Sequence, residues 1–427
     1  MFGGGVGLRL STSLVAFLTL FSSLSNAQQP KNAKALGEVL GGIPDLSIYY
    51  NLLKNNTDIL FEIPNLAGVT LLAPSNEAFN KSQDFQPDNT TYLTTLLKYH
   101  IIRGVINTQS LSVGPSIYAP TLLTSSDQTN VSTGQNVIIT RQDEETTVIT
   151  TGLGSRSTIS DPADISFSGG LIQIIDTLLV PPAPLEKTAR DAYKDLTGFL
   201  GALYSTDLVS TFSQSKDVTI LAPRNSAFQK IASPLSSLTK EKLTSILKYH
   251  LIPNKIIPAS SFFIPSANFT NGTLDSQEGK QVLVTRLGNN LFFNRAQLLQ
   301  ADVLISNGVI HIIDGVLNPD LEESQQVPEE DVKSQSVAFT QPVSGAQTST
   351  GTKVPVPFTS YLPCTSDCPV TTTSSAEVEE ATTTTRGGVS TRSSSGMGVM
   401  PRCTGVGGYV AAGVVGVGMG MGFVGAV

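Results

Sequence analysis

Tryptophan is absent from the chain, and cysteine and histidine occur only three times each. Cys364, Cys368 and Cys403 all stand beyond residue 363. The long stretch before them has no disulfide framework and must fold on buried apolar surface alone. His100, His250 and His311 are too scattered to assemble a zinc site of ordinary type, so no metal is expected. Charged residues make up only 14% of the sequence and its net charge is −7. No Lys/Arg block interrupts the first 320 residues, which removes the basic face that phosphates require and excludes nucleic acid as an expected partner. Serine is abundant, yet there is no G-x-S-x-G elbow and no triad spacing. The glycine-rich GVGMGMG at 416–422 is followed by no helix, so it is not a nucleotide loop. Neither a catalytic residue nor a cofactor is expected, and the chain reads as a non-enzyme.

The two ends are unlike a folded domain. Arg9, an apolar stretch from Leu14 to Phe21 and the small-residue site Ser25-Asn26-Ala27 mark residues 1–27 as a secretory signal peptide. No charged residue follows Arg402, and the terminal stretch is apolar and rich in glycine. Small residues, a spacer and an apolar tail make Ser394, Ser395 and Gly396 the candidate sites of a glycosylphosphatidylinositol anchor, with residues 397–427 removed. Such cleavage discards Cys403 and leaves Cys364 and Cys368 as a candidate disulfide. Residues 321–396 are dominated by Ser, Thr, Pro and Glu and predict a disordered, O-glycosylated stalk with a reach on the order of 50 Å. N-glycosylation sequons stand at Asn55, Asn89, Asn130, Asn268 and Asn271.

Internal repetition is the most informative feature. TLLAPSNEAF at 70–79 returns as TILAPRNSAF at 219–228, LLKYHI at 96–101 as ILKYHL at 246–251, and ADISFSGGLIQIIDTLLVP at 163–181 as ADVLISNGVIHIIDGVLNP at 301–319. The offsets are 149, 150 and 138 residues, in the same order. Two copies follow, 32–182 and 185–320, joined by the short hinge VPPAPLE at 180–186. So brief a connection predicts limited freedom between them. The smaller last offset places about a dozen extra residues in a loop of the first copy, where added length costs little.

Within each copy, VTLL predicts a strand stopped by proline, and Asn76 and Asn225 are the expected cap or turn-former common to both. The Tyr-His block ends a helix, where an imidazole can satisfy orphan carbonyls. Gly169-Gly170 and Asn307-Gly308 are the expected turns of a closing β-hairpin. Asp164, Asp176, Asp302 and Asp314 recur at the hairpin edges, where turn-capping outweighs acid/base or cation-binding roles.

These three blocks resemble the fasciclin domain, and both copies carry all three. The resemblance implies an α+β fold: two tandem domains, each a β-sandwich wedge flanked by helices. It also implies an extracellular or membrane-tethered protein of adhesion and matrix. Some animal relatives connect the Tyr-His block with receptors, which makes Tyr99, His100, Tyr249 and His250 candidate binding residues, against a purely structural role at the helix end. Copy one departs from the pattern with Gln173 where copy two has His311. The expected partners are cell-surface, wall or matrix proteins or glycans, homophilic pairing among them, with the membrane held through the lipid anchor. The alternatives are a structural spacer glycoprotein and a small-molecule or lipid carrier, the last favoured by an apolar pocket around His311. Cell surface and vacuole lumen share the same topology.

Overall fold

A computed structural model describes residues 33–66, 68–143, 146–263, 271–329, 335–339 and 354–363. The expected signal peptide, Asn268, the Cys364/Cys368 pair, the anchor candidates Ser394, Ser395 and Gly396, and most of the expected stalk lie outside the described residues. Both repeats lie in one compact unit that runs to Thr359.

Among the described residues the first domain has seven strands: β1 (Val69–Pro74), β2 (Ile101–Arg103), β3 (Ser116–Pro120), β4 (Asn136–Arg141), β5 (Thr147–Thr150), β6 (Arg156–Phe167) and β7 (Gly170–Ile175). They form one sheet in the order β2-β1-β7-β6-β5-β4-β3. The sheet folds over until its edges nearly meet, through a bridge from Ile102 to Thr121. The second domain repeats the pattern with β8 (Val218–Pro223), β9 (Leu251–Ile252), β10 (Asn271–Asp275), β11 (Gln281–Leu287), β12 (Asn290–Phe293), β13 (Ala296–Ile305) and β14 (Gly308–Ile313), in the order β10-β11-β12-β13-β14-β8-β9. Helices cover the sheets, so each domain is a near-barrel with flanking helices.

Strands β1 and β7, the first and third repeated blocks, pair in parallel, as do β8 and β14; every other pairing between the described strands is antiparallel. Both partners are buried along their whole length. One face of β1 sends Val69, Leu71 and Ala73 into a core shared with Leu46, Tyr49 and Phe79 of the helices. The other sends Leu72 into the barrel interior with Val137, Ile139, Ile149 and Ile175. Burial on two faces explains why these blocks read as continuous apolar runs rather than as an alternating pattern.

The hairpin turns fall one residue earlier than the sequence suggests, at Ser168-Gly169 and Ser306-Asn307. Gly170 and Gly308 are the first strand residues, paired with Phe167 and Ile305. Their role is close approach. A Cβ on Gly170 would lie 1.9 Å from the Val69 carbonyl oxygen, and one on Gly308 would lie 1.9 Å from that of Val218.

Asn76 and Asn225 also act differently from the expected cap. Ser75 caps the helix Asn76–Lys81 by accepting from the Ala78 amide. Asn76 instead reaches back to the start of the helix Ser47–Asn55: its Oδ1 accepts from the Ile48 amide at 3.0 Å, and its Nδ2 donates to the Pro44 carbonyl at 3.1 Å. Asn225 repeats this with the Gly198 amide at 2.8 Å and the Lys194 carbonyl at 3.0 Å. A neighbouring helix start offers orphan amides that the local one, already capped in the first domain, does not.

Beyond residue 320 some of the described residues make local contacts. A short helix, Glu323–Gln326, carries a capping box. Phe339 is buried, and the Ala338 carbonyl accepts from Asn318 Nδ2 at 2.9 Å. Composition hid these anchors because they are single apolar residues within a polar stretch.

The close approach at β14 predicts that Gly308→Ala destabilises the second domain by about 3 kcal/mol or more, because backbone rather than a flexible side chain must yield. Urea unfolding checks it; a midpoint equal to wild type would contradict it.

Candidate functional site

The Tyr-His block sits at the centre of each domain. His100 is the C-cap of the helix Thr90–Tyr99, and His250 that of Lys240–Tyr249. His100 Nδ1 donates to the Leu96 carbonyl at 2.7 Å, while its Nε2 accepts from the Leu179 amide at 3.0 Å. His250 does the same with the Ile246 carbonyl at 2.8 Å and the Leu317 amide at 3.0 Å. Each ring thus joins a helix end to the chain leaving the closing hairpin. The tyrosine beside it ties the helix to the opposite strands. Tyr99 donates to the Asn136 carbonyl at 2.9 Å and Tyr249 to that of Gln281 at 2.6 Å. Tyr99, His100, Tyr249 and His250 are all 0–1% exposed. A partner approaching the folded domain meets none of these side chains, so the candidate binding set is an internal lock. The sequence marked the positions, but the requirement that a helix end be satisfied accounts for them.

The carboxylates are likewise occupied within the fold. Asp164 and Asp302 sit at bulges in β6 and β13 with φ of 54° and 62°. Asp164 accepts from the Thr108 amide at 3.0 Å and hydroxyl at 2.6 Å, and Asp302 from the Ala259 amide at 2.9 Å. Asp176 and Asp314 bind back to the amides of Thr158 and Gln297, each at 2.8 Å. Among the described residues no group of His, Cys, Asp and Glu is placed to hold a metal.

Gln173 and His311 occupy equivalent positions and make equivalent bonds. Gln173 Oε1 accepts from the Asp164 amide at 2.8 Å and its Nε2 donates to the Ile106 carbonyl at 3.1 Å. His311 Nδ1 accepts from the Asp302 amide at 3.2 Å and its Nε2 donates to the Ile257 carbonyl at 2.9 Å. The amide of glutamine reproduces the acceptor and donor of a neutral imidazole. His311 is fully buried, stacked on Phe293 and met edge-on by Phe262. These rings take the space that the carrier reading would need as a pocket.

Between the domains lies a seam built by the first copy's extra loop. Residues 121–135 connect β3 to β4, where residues 276–280 suffice in the second domain. The loop grips the turn of the other domain's hairpin. The Asn130 amide donates to the Ser306 carbonyl at 2.8 Å, Thr129 Oγ1 to the same oxygen at 2.9 Å, and Gln135 Nε2 to the Ile305 carbonyl at 3.0 Å. The Asp217 amide returns a bond to the Asn130 carbonyl at 3.2 Å, and Asp217 Oδ1 accepts from the Ser132 amide at 2.8 Å. Tyr118 brings a buried hydroxyl near Asp302, and burial, then that carboxylate's charge, hold its pKa well above the ordinary value. The added loop residues therefore fix one domain on the other, a role the sequence did not disclose.

Of the sequons, Asn55 is exposed at a helix end, and Asn89 is exposed while its Oδ1 caps the next helix through the Tyr92 amide at 3.0 Å. Asn130 is half-buried in the seam. Asn271 opens β10.

Burial lowers the pKa of His100 and of His250 from 6.5 to about 4, against a smaller opposing effect of the carbonyls they donate to. The unfolded chain binds these protons near 6.5, so the stabilisation is complete above that pH. It declines as pH falls from 6.5 towards 4, by about 3 kcal/mol per histidine. Melts across pH 4–7.5 should show this slope. His311 is lowered as well, by burial, with Asp302 opposing. His311→Gln should therefore fold, using the bonds Gln173 makes, and should reduce the acid sensitivity of the second domain. An unchanged slope in that variant would contradict the equivalence.

Comparison with known proteins agrees with this architecture. The Fasciclin domain family profile matches residues 44–181 and 194–319. A fasciclin-like arabinogalactan protein of Arthroderma benhamiae is 31% identical over 341 residues, covering 78% of this chain and 77% of that protein. One from Phaeosphaeria nodorum is 29% identical over 298 residues, covering 68% and 90%. Human periostin is 25% identical over 256 residues, covering 58% of this chain and 27% of periostin. Among solved structures, a FAS1 domain pair from the insect cell adhesion molecule fasciclin I is 23% identical and covers 66% of this chain and 99% of that one, with a TM-score of 0.31. With both of its repeats matched by the family profile, the chain belongs to the fasciclin domain family and carries two such domains in tandem.

Proposed function

We propose that this chain is a non-enzymatic interaction glycoprotein of the cell exterior, which holds wall, matrix or neighbouring-cell components through its paired domains. The observation that carries this reading is the seam, where backbone and side-chain bonds join the domains so that their surfaces are presented together. Two weak contacts on one body add by avidity without the cost of ordering a linker. The internal use of the recurring histidines, tyrosines and aspartates supports a non-catalytic role. A hollow beside Ile231, Asn294 and Leu317 holds about 40 Å³, and a wider one of about 610 Å³ at residues 86–90 lies open to solvent on the surface rather than enclosed as small-molecule sites usually are.

The address rests on the sequence: the signal peptide, the exposed sequons at Asn55 and Asn89, and an anchor signal at Ser394, Ser395 and Gly396. Among the described residues no helix is long and apolar enough to cross a membrane. The names of the fungal relatives, arabinogalactan proteins, fit a glycan-bearing molecule at the wall.

The test uses the full secreted chain with its glycans, coated on beads, beside a variant with the seam weakened by Gln135→Ala and Asp217→Ala. Wild-type beads should cluster or attach to wall material. The variant, its domains folded by thermal melt, should attach several-fold less. Absence of attachment at any coating density would remove the adhesion reading.

A further inference from the structure

The helix Thr197–Ser205 carries two glycines, Gly198 and Gly201, in nine residues. Each costs a helix about 1 kcal/mol relative to alanine, so their presence calls for a local reason. The first domain shows what ordinarily stands there. Asn76 Oδ1 accepts from the Ile48 amide as Asn225 Oδ1 does from that of Gly198, which equates position 198 with 48 and, three residues on, 201 with 51. Those positions are Ile48 and Asn51. The second domain has exchanged two side chains for bare backbone.

The space is occupied by the chain itself. The segment Val-Pro-Val-Pro-Phe, residues 354–358, lies across the two glycines. A Cβ on Gly198 would come within 2.9 Å of Val356 Cγ1, and one on Gly201 within 2.2 Å of the Phe358 carbonyl oxygen. Gln229 Nε2 donates to the Val354 carbonyl at 2.5 Å. The Phe358 ring meets Phe228 edge-on, with centroids 6.1 Å apart. Phe358 holds a φ of 66°, a conformation uncommon for a bulky residue and kept only where surrounding contacts support it.

We propose that the second domain carries a peptide groove, formed by Gly198, Gly201, Phe228 and Gln229, whose ligand is this chain's own Val354–Phe358 segment. The groove reads an extended, proline-spaced apolar segment. Proline fixes φ in advance and lowers the ordering cost, the glycines admit the backbone, Gln229 binds a main-chain carbonyl, and Phe228 selects an aromatic side chain. The first domain, with Ile48 and Asn51 in place of the glycines, has no such groove. The bound segment straps the start of the Ser/Thr-rich region to the second domain.

The test compares the full chain with Gly201→Asn, which installs the residue of the first domain and closes the groove, and with Phe358→Ser, which vacates it. Chymotryptic cleavage after Phe358, followed by mass spectrometry, should rise about tenfold in Gly201→Asn, as expected when a docked segment is released. A fluorescent peptide KVPVPFTS, residues 353–360, should bind the Phe358→Ser chain and fail to bind the Gly201→Asn chain. Thermal melts establish that both variants are folded. Cleavage at the wild-type rate in Gly201→Asn, no binding of the peptide to Phe358→Ser, or equal binding to both variants would each overturn the proposal. None of these results depends on whether the domains adhere to anything.

Discussion

Each domain depends on pairing its first strand, in parallel, with its last. β1 and β7, or β8 and β14, come from blocks roughly a hundred residues apart, and their union closes the whole intervening chain into one sheet. The glycine that opens the last strand permits the approach, since any side chain would strike the carbonyl opposite. Most of what surrounds the pair serves to hold it. The histidine at the helix end bonds to the chain just beyond the last strand, its backbone carbonyl accepts from Leu72 or Leu221 of the first, and the bulge aspartates pin the loops that follow β2 and β9. In this family member, the repeated blocks are the parts of a closure.

This explains what could be read from the sequence. Duplication and strand identity were legible because closure demands particular residues at fixed places: apolar runs buried on two faces, a glycine, a helix ending in Tyr-His. The turn residues were misplaced by one because Asn-Gly and Gly-Gly are also good turn formers, and only the neighbouring Val69 or Val218 carbonyl shows that the second glycine belongs to the strand. Asn76 and Asn225 were recognised as helix-start residues, but a one-dimensional pattern cannot say that the helix they cap is another one, near Ile48 or Gly198.

The candidate site was less legible, for a related reason. Recurrence in both copies selects for the shared fold and is silent about what differs between them. Tyr99, His100, Tyr249 and His250 recur and are internal. The features that distinguish the copies are the loop 121–135, the exchange of Gln173 for His311, and the glycines at 198 and 201. These account for the seam, for the imidazole that stands in the second barrel where the first has an amide, and for the seat of the Val354–Phe358 segment. Their signal lay in the mismatches between the repeats.

The hairpin turns carry one more regularity. The Ser168 amide donates to the Lys34 carbonyl at 2.7 Å, and the Ser306 amide donates to that of Ala183 at 2.9 Å. In each case the turn takes hold of the strand of chain that enters its own domain. The rule is local and self-repeating: a further domain appended in the same way would find its incoming segment clasped by its own turn. The clasp on the incoming segment is therefore written inside each unit, whereas the joint between the two units is written in the first alone, in the loop 121–135.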